Sequence, residues 1–231
     1  RLLRRGALRR RFRSIDLYVI ITRELCRWDW LRTAEAALRG GAGCLQLREK
    51  ACSDGELLDA ARRLRELTGA HGALFVVNDR ADIAALARAD GVHVGQDDLS
   101  VADARRAAGA NLFIGKSTHN DEQFQAALAE QPDYIAIGPM FATATKPQPH
   151  IAGVDTLRRV AGHTDLPLVG IGGITAERCG EVIQAGASCV CVCSAVIGAA
   201  DPEAAARELR GAIARCKPDM RKGIEPGSTH E

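Results

Sequence analysis

The segment from Asp133 to Lys146 combines hydroxyl groups and a cation, a set of groups suited to binding phosphate. Its apolar run Tyr134–Ile137 indicates a buried strand. Gly138-Pro139 ends that strand, because proline has no N–H for a sheet hydrogen bond. The loop that follows carries Thr143, Thr145 and Lys146. Hydroxyl, backbone N–H and ammonium groups all donate hydrogen bonds to phosphate oxygens. The segment predicts a phosphate-binding loop, although by itself a solvated loop without function explains it equally well.

The ends of the other predicted strands also carry polar residues or glycines. These residues are Gln46, Arg48, Lys50, Asn78, Asp79, Gln96, Asp98, Ser117, His119, Gly172, Gly173 and Ser194. The carboxyl ends of parallel strands meet on one side of a sheet or barrel, where ligands bind. The ordinary polarity of loops explains any one of these positions, but it explains the whole set poorly.

The charged residues of this set indicate phosphate ligands and a metal ion. Arg48, Lys50 and Lys146 supply three cations, which match more than one phosphate charge. Asp79 and Asp98 would repel phosphate unless a divalent cation lay between them, and carboxylates, phosphate oxygens and water are the usual ligands of Mg²⁺. The glycine amides and the last serine predict a second phosphate site. The residues therefore predict two anionic ligands, one of them bound with Mg²⁺.

An alternation of short apolar strands and helices would position these residues. Strands are predicted at 17–21, 44–47, 74–77, 91–94, 112–114, 134–137, 167–169 and 189–193, and helices at about 33–39, 53–68, 82–88, 100–108, 121–130, 154–161, 175–185 and 202–215. The strands are apolar throughout, which is typical of parallel strands covered by helices. Eight such units predict an α/β fold, a single-domain TIM (β/α)8 barrel, with a doubly wound open sheet as the alternative.

Length and composition favour a globular domain of ordinary kind. The chain has 231 residues, of which 46% are hydrophobic and 26% are charged. Aromatic residues make up only 4%, which argues against stacking platforms for single-stranded nucleic acid. No apolar run approaches the ~18 residues of a membrane span. We expect a barrel domain over residues 16–216 with small-molecule substrates, no nucleic acid and no membrane contact, and a homo-oligomer stays open.

The net charge of +2 hides a strongly basic start. Residues 1–13 contain seven arginines and no acidic residue, and the rest of the chain has 24 basic and 29 acidic residues. This mildly acidic remainder argues against a broad nucleic-acid surface. Residues 1–15 are predicted to be a disordered basic tail or an upstream extension, with a targeting segment or a nucleic-acid arm as alternatives. Residues 217–231 are predicted to be a second disordered tail.

The eight cysteines include no pair with C-x-x-C spacing. Cys189, Cys191 and Cys193 alternate with valines, so a strand would place all three side chains on one face. We expect them to be small buried hydrophobic residues rather than metal ligands, because no histidine or acidic residue lies between them. Reduced thiols and the lack of an evident signal peptide predict a cytoplasmic protein.

Six motifs in order carry a family resemblance over nearly the whole of residues 17–215. They are Gln-Leu-Arg-Glu-Lys (46–50), Val-Asn-Asp-Arg (77–80), Gly-Val-His-Val-Gly-Gln-Asp-Asp (91–98), Ile-Gly-Lys-Ser-Thr-His (114–119), Gly-Pro-Met-Phe-Ala-Thr-Ala-Thr-Lys (138–146) and Gly-Ile-Gly-Gly-Ile (170–174). The sequence resembles the thiamine-phosphate synthases, TIM-barrel transferases of thiamine biosynthesis. The resemblance implies that hydroxymethylpyrimidine diphosphate is joined to thiazole phosphate or its carboxylate, giving thiamine phosphate and diphosphate. It also implies Mg²⁺-assisted ionisation to a pyrimidine-methyl cation, and leaves open whether Mn²⁺ can replace Mg²⁺.

The same resemblance implies a role for each matching residue. Gln46 would contact the pyrimidine, and its diphosphate would be held by Arg48, Lys50, Asn78 and Lys146. One Mg²⁺ per subunit would be held by Asp79 and Asp98. The thiazole phosphate would be bound by Thr143, Thr145, Gly173 and Ser194, and Cys193 is also predicted to bind substrate. Ser117 would lie beside the reacting centre, and the predicted catalytic set is Ser117, Lys146 and Arg48.

Two departures from the family pattern and two competing hypotheses accompany this prediction. Lys116 adds a cation before Ser117, and the segment between Asp98 and Ser117 is about one residue longer than the pattern. His93 and His119 are expected to have structural or ligand-contacting roles, because no Ser-His-Asp or Cys-His signature is evident.

The related thiazole tautomerases share the barrel but lack the diphosphate and metal residues, which are present here. A non-enzymatic sensor of phosphate ligands is the third hypothesis, and a loop closing over the mouth near 143–150 is plausible for the enzyme.

Overall fold

The computed structural model describes residues 2–143 and 151–217, with side chains from Arg4 onward. The strands are β1 (Leu17–Ile21), β2 (Cys44–Leu47), β3 (Leu74–Asn78), β4 (Gly91–Val94), β5 (Phe113–Thr118), β6 (Tyr134–Ile137), β7 (Leu168–Ile171) and β8 (Cys189–Val192). The helices are α1 (Leu2–Arg13), α2 (Trp30–Arg39), α3 (Asp54–Ala70), α4 (Ala81–Leu86), α5 (Val101–Ala108), α6 (Asp121–Glu130), α7 (Gly153–Val160), α8 (Cys179–Gln184), α9 (Ser194–Ile197) and α10 (Pro202–Cys216). Single 3₁₀ turns lie at Arg23–Leu25 and Ala161–His163.

The eight strands form a closed parallel barrel in chain order. Each strand pairs with the next one along the chain, and β8 closes the barrel against β1, where Tyr18 lies opposite Cys191. Helices follow the strands on the outside, as the repeated strand–helix pattern requires. The predicted TIM barrel is therefore confirmed, and the alternative of an open doubly wound sheet is wrong.

Some element boundaries differ from those predicted, and two of the differences affect the site. β5 continues to Thr118, so Ser117 lies on the strand itself rather than on the following loop. β7 continues to Ile171, because its Gly170 can still pair with both neighbouring strands. The loop between β7 and α8 is also longer than predicted, because Thr175 begins a turn and α8 starts only at Cys179.

The barrel interior is packed with aromatic rings. Tyr18, Phe113 and Tyr134 are at most 1% exposed and fill the amino-terminal half of the barrel. A Cβ on Gly115 would lie 2.0 Å from the ring of Tyr134, so the glycine in β5 leaves the space that this ring occupies. Cys189 and Cys191 point into the same interior, as the alternation predicted, and all eight cysteines are free thiols.

The first helix replaces the disordered tail that composition predicted. α1 lies across the amino-terminal end of the barrel, with Leu8 5% exposed and Phe12 2% exposed. The ring of Phe12 stacks on that of Tyr134, with 4.4 Å between the ring centroids and an angle of 25° between the planes. The prediction of disorder over residues 1–15 was wrong, because these two apolar side chains close one end of the interior.

The arginines of α1 are held by an acidic residue of the barrel. Asp133, just before β6, has a side chain that is 1% exposed and accepts hydrogen bonds from Arg5 at 2.7 Å and from Arg105 at 3.1 Å. Arg9 lies 3.4 Å from the same carboxylate. The basic composition that suggested a tail therefore serves, in part, to neutralise a buried carboxylate.

Among the described residues, no helix combines the length and apolar character needed to cross a membrane. Residues 218–231, predicted to be a disordered tail together with Lys217, lie outside the part of the chain that the structure describes.

Candidate active site at the carboxyl end of the barrel

A cavity of about 480 Å³ opens at the carboxyl ends of the strands. It brings together six residues that the sequence predicted as ligands: Arg48, Ser117, Thr143, Gly173, Cys193 and Ser194. These residues come from the ends of β2, β5, β7 and β8 and from the loop after β6. Residues distant in sequence meet here because the strands are parallel and the barrel is closed. Thr145 and Lys146, also predicted for this site, lie outside the described residues.

Two glycines shape the wall of the cavity beside β7. Gly172 and Gly173 have φ angles of +95° and +65°, a backbone region that favours glycine. A Cβ on Gly173 would lie 2.6 Å from the carbonyl oxygen of Ala142 in the loop after β6. The N–H of Phe141 donates to the carbonyl of Gly172 at 3.0 Å. The loops after β6 and β7 are therefore in direct backbone contact. Both loops also line the cavity.

Cys193 and Ser194 form the adjacent part of the wall, where β8, the neighbour of β7, passes into α9. Ser194 is exposed at the start of this helix, and Cys193 is its half-buried N-cap residue. Burial raises the pKa of the Cys193 thiol to about 11, so this side chain is a neutral group at physiological pH. An exposed hydroxyl beside glycine-rich backbone suits an anionic group such as phosphate.

A second group of predicted residues lies at the ends of β2, β3 and β4. Lys50 forms an ion pair with Asp79, and Asp79 is hydrogen-bonded to Asp98. Asn78, the last residue of β3, is half-buried beside them in the chain. Asp79 has a φ of +60°, a conformation that aspartate tolerates better than most residues. Asp79 thus contacts two other predicted diphosphate and metal residues, Lys50 and Asp98.

The pKa values of the Asp79 and Asp98 carboxyl groups are shifted in opposite directions. Burial, together with the neighbouring Asp98, raises the pKa of Asp79 above its usual range. Burial acts in the same direction on Asp98, but the hydrogen bond from Asp79 and the N–H of Gly95, which donates at 2.7 Å, lower the pKa of that carboxyl. Two carboxyl groups this close favour a shared cation, either a proton or a divalent metal ion. The chemistry of this pair therefore fits Mg²⁺.

Among the described residues, no cluster of three or more histidine, cysteine, aspartate or glutamate side chains could hold a metal ion alone. A metal at Asp79 and Asp98 would need further oxygen ligands, which phosphate oxygens of a substrate and water can supply. The donor set is thus that of a site completed by its substrate rather than of a structural metal site.

Gln46 lies deeper in the barrel than the other predicted ligands. It is 2% exposed, and its amide Nε2 donates to the hydroxyl of Tyr18 at 2.5 Å. The cavity is lined above it by Ile20 and Arg48, from the neighbouring strand and from the end of its own strand. Gln46 is therefore at the base of the site, where a polar ring could reach it.

Lys116 does not add a cation to the site. It is 5% exposed and its Nζ lies 3.3 Å from a carboxylate oxygen of Glu130 on α6. The alternation of β5 turns Lys116 outward because Ser117 faces the cavity. Lys116, the departure from the family pattern, therefore pairs with α6 on the outside of the barrel.

Two further side chains line the cavity, and of these Arg178 was not predicted from the sequence. His119, expected to be structural or ligand-contacting, lines the cavity and contacts the carbonyl oxygen of Gly138 through Nδ1 at 2.5 Å. Arg178 also lines the cavity, and its guanidinium lies 4.9 Å from the ring centroid of Phe141. Arg178 lies five residues beyond Gly173, in the turn before α8, so the position of that turn is the signal that could have identified it.

Comparison with known proteins identifies the family. Residues 17–196 match the family model described as thiamine monophosphate synthase. The chain belongs to this family. The match begins at β1 and ends in α9, so it includes every described residue discussed for the cavity and excludes α1 and α10. The family resemblance inferred from six sequence motifs is confirmed.

Relatives in the thiamine monophosphate synthase family match over most of the chain. The thiamine-phosphate synthase of Chloroflexus aurantiacus is 44% identical over 199 residues, which cover 85% of this chain and 92% of the relative. That of Thermosynechococcus vestitus is 45% identical over 188 residues, covering 81% of this chain. The chain spans about half the length of this second relative, since the match covers 54% of it.

A solved structure of the same name has the same fold. The thiamine phosphate pyrophosphorylase from Pyrococcus furiosus superposes with a TM-score of 0.82 at 34% sequence identity, covering 89% of this chain and 98% of that one. The barrel fold predicted from the alternation of elements thus agrees with an independent structure of a similar protein.

Proposed function

We propose that this protein is a thiamine-phosphate synthase. It joins the methylene carbon of hydroxymethylpyrimidine diphosphate to the nitrogen of a thiazole phosphate or its carboxylate, and it releases diphosphate. The observation that carries the proposal is that two groups of polar and charged residues lie at the carboxyl end of the barrel in a member of this family. One group contains Lys50 with the two carboxyls, and the other contains Gly173 and Ser194.

The residues of the first group suit a diphosphate leaving group. Arg48, Lys50, Asn78 and Lys146 would donate hydrogen bonds or positive charge to it. Asp79 and Asp98 would hold one Mg²⁺ per subunit, which supplies positive charge to the diphosphate. The contact between Lys50 and Asp79 supports this assignment, since a cation already lies beside the carboxyl pair. Such stabilisation of the leaving group makes a protein nucleophile unnecessary.

The residues of the second group would hold the thiazole phosphate. Thr143, Thr145, Gly173, Cys193 and Ser194 would surround it, with backbone N–H groups and hydroxyls as donors. Gln46 at the base of the cavity would contact the pyrimidine, and Ser117 would lie between the two substrates at the reacting centre. We also propose a cytoplasmic location, because the eight free thiols suit a reducing compartment.

A coupling assay with metal-site variants tests the proposal. Purified protein, both substrates and Mg²⁺ should give thiamine phosphate, detected by fluorescence after oxidation to thiochrome, and EDTA should abolish its formation. The double variant Asp79→Asn with Asp98→Asn should lower kcat by about a hundredfold or more, because charge stabilisation of the leaving group is lost. Asp97→Asn is the matched control, since Asp97 is an exposed carboxylate beside the site.

The outcomes separate the metal assignment from the activity. Full activity in the folded double variant would overturn the metal assignment while leaving the synthase in place. No thiamine phosphate from folded wild-type protein would overturn the synthase. Isomerisation of the thiazole carboxylate phosphate should then be measured, because the tautomerases share the barrel.

A further inference from the structure

A chain of hydrogen bonds runs from the cavity into the interior of the barrel. The Oγ of Ser117 lies 2.8 Å from Nε2 of His93, and Nδ1 of His93 lies 2.8 Å from the hydroxyl of Tyr134. The rings of His93 and Tyr134 are stacked, with 5.6 Å between their centroids. His93 is 8% exposed and lies on β4, so it reaches Ser117 on β5 from the neighbouring strand.

The chain continues across the barrel to a second residue of the site. The hydroxyls of Tyr134 and Tyr18 lie 3.3 Å apart, and Tyr18 accepts the hydrogen bond from Gln46. Both tyrosines are at most 1% exposed. Three side chains therefore connect Ser117, at the proposed reacting centre, to Gln46, at the proposed pyrimidine site, through the barrel interior.

Counting donors gives this chain a direction. The amide of Gln46 donates to the oxygen of Tyr18, so the proton of Tyr18 is directed to the oxygen of Tyr134. The proton of Tyr134 then goes to Nδ1 of His93. A neutral histidine that accepts at Nδ1 carries its proton at Nε2 and donates it to Ser117. In the opposite direction Tyr18 would accept twice, and its own proton would be left to the sulfur of Cys44, a weaker acceptor than an oxygen.

Burial keeps both tyrosines in their neutral form. Desolvation raises the pKa of Tyr18 and of Tyr134 well above the usual value for tyrosine. Each hydroxyl therefore keeps one proton to donate, as the donor count requires. A buried polar chain of this kind is stable only when every member is satisfied, which makes its direction a property of the whole chain.

We propose that His93, Tyr134 and Tyr18 are positioning residues that fix the Ser117 hydroxyl as a donor toward the substrate. Because Ser117 accepts from His93, its own proton is directed into the cavity, toward a phosphate oxygen or another lone-pair acceptor at the reacting centre. The same chain fixes the orientation of the Gln46 amide, since its Nε2 is committed to Tyr18. This inference rests on the proposed function only for the identity of the substrate.

The tautomer of His93 gives a test that does not depend on activity. Nitrogen chemical shifts of ¹⁵N-labelled protein distinguish protonated from unprotonated ring nitrogens, and the signals missing from the His93→Gln variant assign those of His93. We expect the neutral ring to carry its proton at Nε2. In Tyr134→Phe the Nδ1 atom loses its donor, so the preference for this tautomer should weaken. A proton at Nδ1 in the wild type would overturn the proposal.

Steady-state kinetics test the role of the chain with matched substitutions. Tyr134→Phe and Tyr18→Phe remove one oxygen each, and we expect kcat to fall about tenfold while the KM for thiazole phosphate changes little. His93→Gln keeps an amide donor at the place of Nε2 and should retain more activity than His93→Leu. Ser117→Ala should lower kcat, and adding His93→Leu to it should then lower kcat little further, because both changes remove the same bond.

The kinetic outcomes distinguish this inference from failure of the proposed function. Inactive wild-type protein would overturn the proposed function, while the tautomer of His93 would still decide the direction of the chain. Additive losses in the double variant of Ser117 and His93, or wild-type kcat in both tyrosine variants, would overturn the positioning role.

Discussion

Cys193 lies in the cavity wall, yet we expect its thiol to react slowly. Burial raises the pKa of its thiol to about 11, well above the usual value for cysteine. Only the thiolate reacts with alkylating reagents, and the thiolate is a small fraction at any pH a unit or more below that value. The raised pKa therefore predicts slow modification at neutral pH, with a rate that rises as the pH approaches 11.

The prediction for Cys193 is measured by iodoacetamide labelling and peptide mass spectrometry. We expect the labelling rate of Cys193 to increase about tenfold per pH unit between pH 8 and pH 10, because the thiolate fraction does. Thiazole phosphate should slow the reaction, since Cys193 lines the cavity. The Cys193→Ser variant controls for labelling of the other seven cysteines. Fast labelling at pH 7 that no longer rises with pH would contradict the prediction.

Individual residues show how much of the site the sequence could predict. Arg48, Ser117 and Gly173 were predicted because each follows a strand predicted from the sequence, and a closed parallel barrel brings strand ends together. Lys116 was misplaced, because its outward direction depends on the exact start of β5. The contacts of His93 with Ser117 and Tyr134 could not be predicted, since they depend on strand register and on which ring fills the interior.

At the scale of elements, α1 shows where sequence patterns fail. Seven arginines in the first 13 residues suggested disorder, because composition weighs charge and cannot see distant partners. The partner of Arg5 and Arg9 is Asp133, more than 120 residues away. The sequence of the helix has little amphipathic pattern, but Leu8 and Phe12 lie four residues apart and both are buried. A low hydrophobic content therefore hid two side chains that close the barrel.

Phe12 should be a major contributor to the stability of the barrel. Its ring is 2% exposed and contacts the rings of Tyr134, Phe113 and Tyr18. We expect Phe12→Ala to lower the free energy of unfolding by about 3–5 kcal/mol, because it leaves a cavity among buried aromatic rings. Chemical denaturation followed by circular dichroism measures this change.

A matched substitution on the same helix controls for effects of helix propensity and charge. Arg10 is exposed on α1, so Arg10→Ala should change stability by less than about 0.5 kcal/mol. Equal losses in Phe12→Ala and Arg10→Ala would show that the helix contributes through charge rather than through closure of the interior. A loss confined to Phe12→Ala is the expected result.

At the scale of the whole molecule, occupation of the mouth should stabilise the entire barrel. The two proposed substrates together would contact residues at the ends of β2, β3, β4, β7 and β8, so their binding would link strands from both halves of the barrel. A ligand that binds only the folded state stabilises it by about 2.7 kcal/mol at a hundred times its Kd. For a chain of this length that corresponds to a rise in Tm of roughly 5–10 °C.

Inorganic diphosphate, the proposed product, makes this stabilisation dependent on the metal. We expect diphosphate with Mg²⁺ to raise the Tm clearly, and diphosphate with EDTA to raise it little, because Asp79 and Asp98 repel the anion without a cation between them. Differential scanning fluorimetry measures both shifts. In Asp79→Asn with Asp98→Asn the dependence on Mg²⁺ should disappear, whereas Asp97→Asn should behave as the wild type. An equal rise with EDTA in the wild type would mean that Arg48 and Lys50 bind diphosphate without a metal, so the carboxyl pair would serve the lysine rather than Mg²⁺.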